Sequence, residues 1–287
     1  MKIVIFSKLK NEKEHLGWYR KGRDISYFAN GIRKNESNNK SMYTLTFTID
    51  FEYSNDTVFV AYSCPYTYTD LNNLLTKIEM NEKISEFCIR KTLCRTLAGN
   101  RCEYLTITSK ETDITKKRCV VISGRVHPGE TVGSWMMQGV IEFLTSLDHP
   151  EAKLLRENFI FKIIPMLNPD GVINGNYRCS LAGCDLNRQW KSPDKVLHPT
   201  IYYAKKMILE LQAEREMIFY CDLHGHSKKK DVFMYGCYDT QDPTKTRIFP
   251  LILSKLCSLF SFEKSKYLFL LYLLDLVFKS QRIEHHE

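Results

Sequence analysis

Long hydrophobic runs are missing from this chain of 287 residues. A membrane-spanning helix needs about 20 apolar residues, and the one candidate, the 12 residues 267–278, is shorter and contains Asp275. This run predicts a buried helix or a segment outside the fold. The ten cysteines include no C-x-x-C pair, which excludes a zinc ribbon and a redox motif. Residues 1–7 have neither a signal-peptide core nor a cleavage site, so we expect a cytoplasmic protein with free thiols.

Acidic residues are too few to balance the basic ones. Against 41 Lys and Arg stand 33 Asp and Glu, which gives a formal net charge of +8. This surplus favours acidic partners, namely nucleic acid, an anionic membrane or an acidic peptide. Because 44% of the residues are hydrophobic and 26% are charged, the composition indicates a globular protein and excludes a disordered one. The length predicts one or two domains.

The first part of the chain has the alternating apolar pattern of half-buried strands. Such stretches cover 25–28, 42–51 and 57–62, and the Asn-, Ser- and Lys-rich stretch 30–41 predicts a loop between the first two. These patterns together predict an antiparallel β unit that ends near Pro65.

After Pro65, apolar strands alternate with helices. Asp70 is expected to cap a helix whose apolar residues run from Leu71 to Ile78. Continuous apolar strands separated by helices predict an α/β domain whose sheet is covered on both faces. Further strands are predicted at 88–97, 101–108, 118–123, 158–167, 217–223 and 231–235, and further helices at 132–147 and 199–214.

A His-Pro-Gly-Glu motif directly follows the predicted strand 118–123. Ligands collect at the carboxyl ends of strands in open α/β sheets, and a tight turn aims His127 and Glu130 at one point. An imidazole nitrogen and a carboxylate oxygen are both good zinc ligands. The motif equally suits an ordinary turn with a surface His and a Glu at a helix start, so alone it leaves both interpretations open.

A second histidine, His224, directly follows the predicted strand 217–223. If both strands belong to one sheet, their ends place His127, Glu130 and His224 around a single ion. Three such ligands leave a fourth position for water, which is the open arrangement of catalytic zinc sites.

The neighbours of His224 offer a hydrogen-bond acceptor for a ligand histidine. Either Asp222 or Glu216 is expected to fill this supporting position. His226 is expected to be a solvated loop residue.

Between the two histidine motifs lie a turn at 168–171 and two arginines. Arg178 and Arg188 suit a substrate with carboxylates, because a guanidinium pairs with a carboxylate through two hydrogen bonds and stays charged. An arginine near the metal also stabilises the oxyanion of a tetrahedral intermediate. The alternative is that both arginines form structural ion pairs with Asp170 and Asp185.

Together, the motifs H-P-G-E, N-P-D-G, D-L-N-R-x-W and D-L-H-G-H resemble the zinc carboxypeptidase family in their order and spacing. The resemblance is closest to the cytosolic carboxypeptidases and covers residues 15–262. It implies a mixed α/β sheet flanked by helices and preceded by a small antiparallel β-sandwich domain. The implied domains are a shortened β-sandwich at 1–65, an incomplete catalytic domain at 66–262 and a divergent segment at 263–287.

The resemblance also implies roles for the motif residues. Arg178 resembles the arginine that stabilises the oxyanion, and Asn187 and Arg188 resemble the pair that holds the terminal carboxylate of the substrate. The implied activity is that of a cytoplasmic hydrolase, associated with microtubules or cilia, that removes C-terminal glutamates from acidic protein tails such as those of tubulin. No nucleic-acid recognition module accompanies the positive charge. The ligands implied for one zinc ion are His127, Glu130 and His224.

One part of the family pattern has no counterpart in this chain. The resemblance implies a general-base Glu in a Tyr-Thr-x-Glu-like strand downstream of His224, but the pattern fades near Phe262. We therefore assign no catalytic Glu and interpret the chain as shortened at both ends. The alternative function is a catalytically impaired module that binds zinc or acidic tails. The acids after His224 are Asp231, Asp239, Asp242, Glu263, Asp275, Glu284 and Glu287.

Overall fold

The computed structural model describes residues 3–35, 38–239 and 241–268. They form two compact units, and the division falls between Pro65 and Tyr66. No helix in this described part is long and apolar enough to cross a membrane. All ten cysteines lie in the described part, and none of them forms a disulfide bond. Most of the apolar run 267–278, with Asp275, Glu284 and Glu287, lies outside the described residues.

The first unit contains antiparallel strands and a short helix. In chain order its elements are β1 (Ile3–Ser7), α1 (Lys8–Glu14), β2 (Tyr19–Lys21), β3 (Arg23–Asn35), β4 (Asn38–Thr48) and β5 (Val58–Ala61). Strands β2, β1 and β5 form one antiparallel sheet in that order, and β3 pairs antiparallel with β4. The predicted antiparallel β unit is confirmed.

The predicted loop at 30–41 is wrong. Strand β3 continues to Asn35 and β4 already begins at Asn38, and Arg33 lies opposite Ser41 in the ladder. Strands pair through backbone groups, so polar side chains are compatible with an exposed strand. A polar composition therefore does not by itself end a strand.

The second unit has a mixed α/β arrangement. Its first elements are α2 (Tyr68–Glu79), α3 (Glu82–Ser85), β6 (Cys88–Arg95), β7 (Arg101–Ile107), β8 (Arg118–Gly124), α4 (Thr131–Thr145), α5 (Pro150–Asn158) and β9 (Phe159–Ile164). The later elements are α6 (Pro169–Asn174), α7 (Pro199–Glu214), β10 (Met217–Leu223), β11 (Tyr235–Cys237), α8 (Lys245–Leu256) and β12 (Lys266–Leu268). Within the described residues, the main sheet has the strand order β10-β8-β9-β7-β6. Strands β10, β8 and β9 are parallel, whereas β7 and β6 pair antiparallel.

Helices cover both faces of this sheet. Successive residues of β8 point to opposite faces, so Val121 packs with Ile201 and Ile208 of α7, while Val120 belongs to the apolar cluster that contains Leu75 of α2 and residues of α4. The predicted α/β class, with its mixed sheet flanked by helices, is confirmed.

Two local predictions in this unit need correction. Thr67, not Asp70, caps α2: the Thr67 side chain accepts from the Asp70 N–H, and the Asp70 carboxylate accepts from the Thr67 N–H in a capping box. The strand predicted at 231–235 is also misplaced, since the regular strand β11 begins only at Tyr235. It pairs with three residues of β12, so a distant segment sets its position.

Candidate metal centre

The candidate centre lies at the carboxyl ends of two neighbouring parallel strands. In the ladder between β8 and β10, Ser123 lies opposite Asp222 and Gly124 opposite Leu223. The two strands therefore end side by side, and the loops that follow them carry His127 and His224. This is the sheet edge at which ligands collect in α/β folds.

Arg125 fixes the loop between β8 and α4. It is 3% exposed, and its backbone adopts the left-handed region at a φ of 55°, which non-glycine residues rarely do. Its Nε donates to the Pro128 carbonyl at 2.8 Å, and its Nη1 donates to the Tyr66 carbonyl at 3.0 Å and to Ser134 Oγ at 2.7 Å. The guanidinium thus ties the loop to the start of the unit and to the first turn of α4.

We expect Arg125→Met to destabilise the protein by roughly 2–5 kcal/mol, because the carbonyls of the buried residues Pro128 and Tyr66 lose the guanidinium donor. Urea unfolding measures this loss. Arg118→Met is the control. Arg118 is exposed, and its guanidinium lies over the Phe159 ring at 5.4 Å from the ring centroid, so we expect a change within about 1 kcal/mol. Equal losses in the two variants would contradict the assigned role of Arg125.

Glu130 lies between the two histidines. Its Oε1 is 2.9 Å from Nδ1 of His127, and its Oε2 is 2.9 Å from Nδ1 of His224. The Gly225 N–H donates to the same Oε2 at 2.8 Å. Burial raises the pKa of Glu130, but the hydrogen bonds from both histidines and from Gly225 outweigh it and hold that pKa well below its usual range. Glu130 is therefore an ionised carboxylate.

Each histidine has a second carboxylate on its other nitrogen. His127 Nε2 is 3.0 Å from Asp185 Oδ1, and His224 Nε2 is 2.7 Å from Asp222 Oδ2. A carboxylate at Nε2 holds a proton there and leaves Nδ1 as the metal-facing nitrogen. Burial lowers the pKa of His224, but Asp222 and Glu130 outweigh it and raise the pKa to about 10. A metal cation bound by His224 would take the place of the second proton.

These residues fit a zinc ion. Two imidazole nitrogens and a carboxylate oxygen form the His2Glu donor set of catalytic zinc sites, and atoms bound to one zinc ion at about 2.0–2.2 Å lie roughly 3–4 Å apart. The three donor atoms here lie within 4.8 Å of one another. Their outer carboxylates, Asp185 and Asp222, complete the pattern of a supported metal site.

Arg178 forms an ion pair beside this centre. Its Nε and Nη2 lie 2.8 and 2.7 Å from Oδ2 of Asp185, whose Oδ1 contacts His127. The ion-pair alternative is therefore observed for Arg178, although 43% of its side chain is exposed. Burial raises the pKa of Asp185, but the contacts with His127, the Asn187 N–H and Arg178 outweigh it and lower that pKa.

Asp170, the other proposed ion-pair partner, has a different role. Its carboxylate accepts from Thr96 Oγ1 at 2.5 Å, from the Ala98 N–H at 3.0 Å and from Asn100 Nδ2 at 2.8 Å. The carboxylate is engaged by the turn between β6 and β7, so the expected pairing with an arginine is not what its contacts show.

The structure brings only one of the two predicted substrate-binding residues, Asn187 and Arg188, to the centre. Asn187 Nδ2 lies 3.5 Å from His224 Nε2, and Asn187 Oδ1 accepts from Trp190 Nε1 at 3.0 Å. Arg188 is exposed, and its Nη1 donates to the Asn187 carbonyl at 3.2 Å. Asn187 is thus brought to the centre, whereas the contacts of Arg188 are with its own neighbour.

Of the two predicted hydrogen-bond acceptors for His224, Asp222 and Glu216, the structure places only Asp222 in contact with it. Asp222 contacts His224, whereas Glu216 lies before β10 at the opposite end of the strand, where its carbonyl accepts from the Cys119 N–H. His226 is exposed, as predicted, and its Nδ1 accepts from the Lys228 and Lys229 N–H groups.

Sequence reasoning missed three supporting residues. The sequence predicts only an ion pair with an arginine for Asp185, and it predicts no role for Ser123 or Tyr220. Ser123 Oγ donates to Asp222 Oδ1 at 2.8 Å and is 2.8 Å from the Tyr220 hydroxyl. The only available signal was the location of Ser123 and Tyr220 near the ends of two predicted strands.

Comparison with known proteins gives relatives for most of the chain. A family profile described as zinc carboxypeptidase matches residues 76–228. Cytosolic carboxypeptidase 2 of Danio rerio is 49% identical over 258 residues, which cover 88% of this chain and 35% of the relative. Cytosolic carboxypeptidase 3 of Mus musculus is 45% identical over 276 residues, covering 93% of this chain and 27% of the relative. The chain thus spans about a quarter to a third of the length of these curated relatives.

A solved structure supports the fold. The crystal structure of a metallo-carboxypeptidase from Burkholderia cenocepacia matches with a TM-score of 0.76 and 22% sequence identity. The match covers 98% of this chain and 68% of that chain. At this identity the likeness concerns the fold alone.

Proposed function

This chain belongs to the zinc carboxypeptidase family, and from that premise we propose that it is a metallocarboxypeptidase that removes residues from the C-terminal end of acidic protein tails. The convergence of His127, Glu130 and His224 at adjacent strand ends is the observation that carries the proposal. Family membership favours this hydrolase over the alternative of a module that only binds zinc or tails. We propose residues 66–262 as the catalytic domain.

We propose that one zinc ion per chain is held by His127, Glu130 and His224. When bound, zinc acts as a Lewis acid that activates water and polarises the scissile carbonyl. Glu130 contributes the negative charge, and its carboxylate already faces Nδ1 of both histidines. Asp185 and Asp222 keep the histidine rings in this orientation from behind.

The proposed substrate contacts come from three polar side chains. Arg178, kept in place by Asp185, is proposed to stabilise the oxyanion that develops on the scissile carbonyl. Asn187 and Arg188 are proposed to hold the terminal carboxylate, for which a guanidinium offers two parallel hydrogen bonds. Hydrolysis also needs a group that carries the proton of water to the leaving amine, and we assign this step to no described residue.

The proposed substrates are glutamate-rich tails, with the tails of tubulin as the first candidates. The net charge of +8 favours an acidic partner. Lys228 and Lys230 are exposed in the loop that follows His224, where they add positive charge close in sequence to the centre. A cytoplasmic location, at microtubules or cilia, is part of the same proposal, in keeping with relatives named cytosolic carboxypeptidases.

Incubation of the purified, zinc-loaded chain with a peptide that ends in several glutamates tests this function. We expect stepwise release of glutamate, followed by mass spectrometry, and slower release from a matched peptide that ends in glutamines. A chelator should stop the reaction, and added zinc should restore it, because the Lewis acid is removed and returned.

Two outcomes would count against the proposal. Tight binding of the glutamate peptide without release would favour the tail-binding module over the hydrolase. Equal release from the glutamate and glutamine peptides would support the hydrolase but overturn the preference for acidic tails.

A further inference from the structure

A hydrogen-bond network of hydroxyl and carboxylate groups contacts the Nε2 side of His224. Tyr220 and Asp222 are two apart on β10, so their side chains point to the same face of the sheet. Ser123 lies opposite Asp222 in the neighbouring strand β8. The Tyr220 hydroxyl is 2.8 Å from Ser123 Oγ, Ser123 Oγ is 2.8 Å from Asp222 Oδ1, and Asp222 Oδ2 is 2.7 Å from His224 Nε2.

The number of available protons fixes which group donates and which accepts in each hydrogen bond of this network. A serine hydroxyl has one proton, and Ser123 donates it to Asp222 Oδ1. The Tyr220 hydroxyl must then donate to Ser123 Oγ. Because Oδ1 accepts from Ser123, Asp222 accepts the Nε2 proton of His224 at Oδ2. The other ring nitrogen of His224, Nδ1, then faces Glu130.

Water is poorly placed to replace this support. Ser123 is fully buried, and only 13% of the Asp222 side chain is exposed. If the Ser123 hydroxyl is lost, Oδ1 of Asp222 becomes a buried acceptor without that donor. The Asp222 carboxylate is then no longer fixed in its orientation and is expected to rotate towards another donor. Such a rotation would release the His224 ring, because Oδ2 is its contact at Nε2.

We propose that Ser123 and Tyr220 are positioning residues of the metal centre, which hold Asp222 so that His224 presents Nδ1 to the metal. The inference rests on the proposed function, because it presupposes that His224 binds zinc. It adds two residues that touch neither the donor atoms nor a substrate.

The two histidines are supported by different means, which makes the inference specific. On the His127 side, Asp185 Oδ1 accepts from the backbone N–H of Asn187 at 2.9 Å, and Asp185 Oδ2 pairs with Arg178. Asp222, by contrast, is held by the side-chain hydroxyl of Ser123. A change at Ser123 should therefore act on His224 and leave the support of His127 in place.

The experiment measures zinc affinity by competition with a fluorescent chelator, without reference to peptidase activity. Loss of a residue that supports a metal ligand typically weakens binding by about 10–100-fold, and we expect Ser123→Ala to fall in this range. Tyr220→Phe should weaken binding in the same direction by less, because Ser123 still donates to Asp222. The absorption spectrum of the cobalt(II)-loaded protein should change in Ser123→Ala, since it reports the ligand geometry.

Thr145→Val is the matched control. Thr145 is also buried, and its hydroxyl donates to the Ile141 carbonyl within α4, in the last turn of the helix that Glu130 precedes. We expect wild-type zinc affinity and an unchanged cobalt spectrum in this variant. Circular dichroism checks that each variant is folded. If Ser123→Ala does not fold, the zinc affinity of Tyr220→Phe alone tests the positioning role.

The outcomes separate this inference from the proposed function. If the wild-type chain binds zinc and both Ser123→Ala and Tyr220→Phe keep its affinity and cobalt spectrum, the positioning role is overturned and the metal site stands. If the wild-type chain binds no zinc, the positioning role and the proposed metal site fall together.

Discussion

Glu130→Gln is expected to weaken zinc binding by more than about 100-fold, beyond the loss typical of a supporting residue, and to stop glutamate release. Both carboxylate oxygens of Glu130 are engaged, Oε1 by His127 and Oε2 by His224 and the Gly225 N–H. Glutamine keeps the size of the side chain, but it replaces one oxygen with an NH₂ group and removes the negative charge. A neutral amide neither balances a divalent cation nor accepts hydrogen bonds from both sides.

Chelator competition measures the loss at Glu130. The control is Glu142→Gln, because Glu142 is an exposed residue of the same helix α4 and its carboxylate accepts from Gln138. This control should bind zinc as the wild-type chain does. Zinc should also raise the unfolding temperature of the wild-type and control proteins, because a ligand that binds the native state stabilises it. Undiminished zinc affinity in Glu130→Gln would contradict the assignment of Glu130 as a ligand.

Two glycines of α4 should respond in opposite directions to the same substitution. A Cβ at Gly133 would lie 2.7 Å from the backbone oxygen of Leu223, whereas a Cβ at Gly139 has nothing within 4 Å. Leu223 ends β10 and precedes His224, and Glu130 precedes α4. The close approach at Gly133 therefore sets the distance between Glu130 and His224.

Gly133→Ala is expected to cost about 1–3 kcal/mol, as overpacking against backbone does, and to weaken zinc binding because α4 must move away from β10. Gly139→Ala should instead stabilise the protein by about 0.4–1 kcal/mol, because alanine is the better helix former and nothing opposes its methyl group. Urea unfolding with zinc titration measures both effects. Stability changes of the same sign in the two variants would show that Gly133 does not set this approach.

The main strands and helices of the second unit could be read from the sequence. The predicted bounds of α7 and β10 are those observed, Pro199–Glu214 and Met217–Leu223. Buried parallel strands form continuous apolar runs, and helices between them have apolar residues at a period of 3.6. These signals are local, so a sequence window contains them whole.

Strands whose position depends on a partner could not be placed in this way. Within the polar stretch 30–41, β3 extends to Asn35 and β4 begins at Asn38. Strand β11 starts at Tyr235, where it pairs with β12. The polar part of the paired strands β3 and β4 lacks a local apolar pattern, and the pairing partner decides where the backbone is extended.

The same division holds at the metal centre. The sequence by itself determined the family and predicted three candidate donor residues, His127, Glu130 and His224, because strand ends and ligand types are visible in a local pattern. Only the tertiary structure decided which carboxylate stands behind each histidine. Ser123 and Asp222 are 99 positions apart, and their contact depends on the register of β8 against β10. A shift of one residue would turn these side chains to the other face of the sheet.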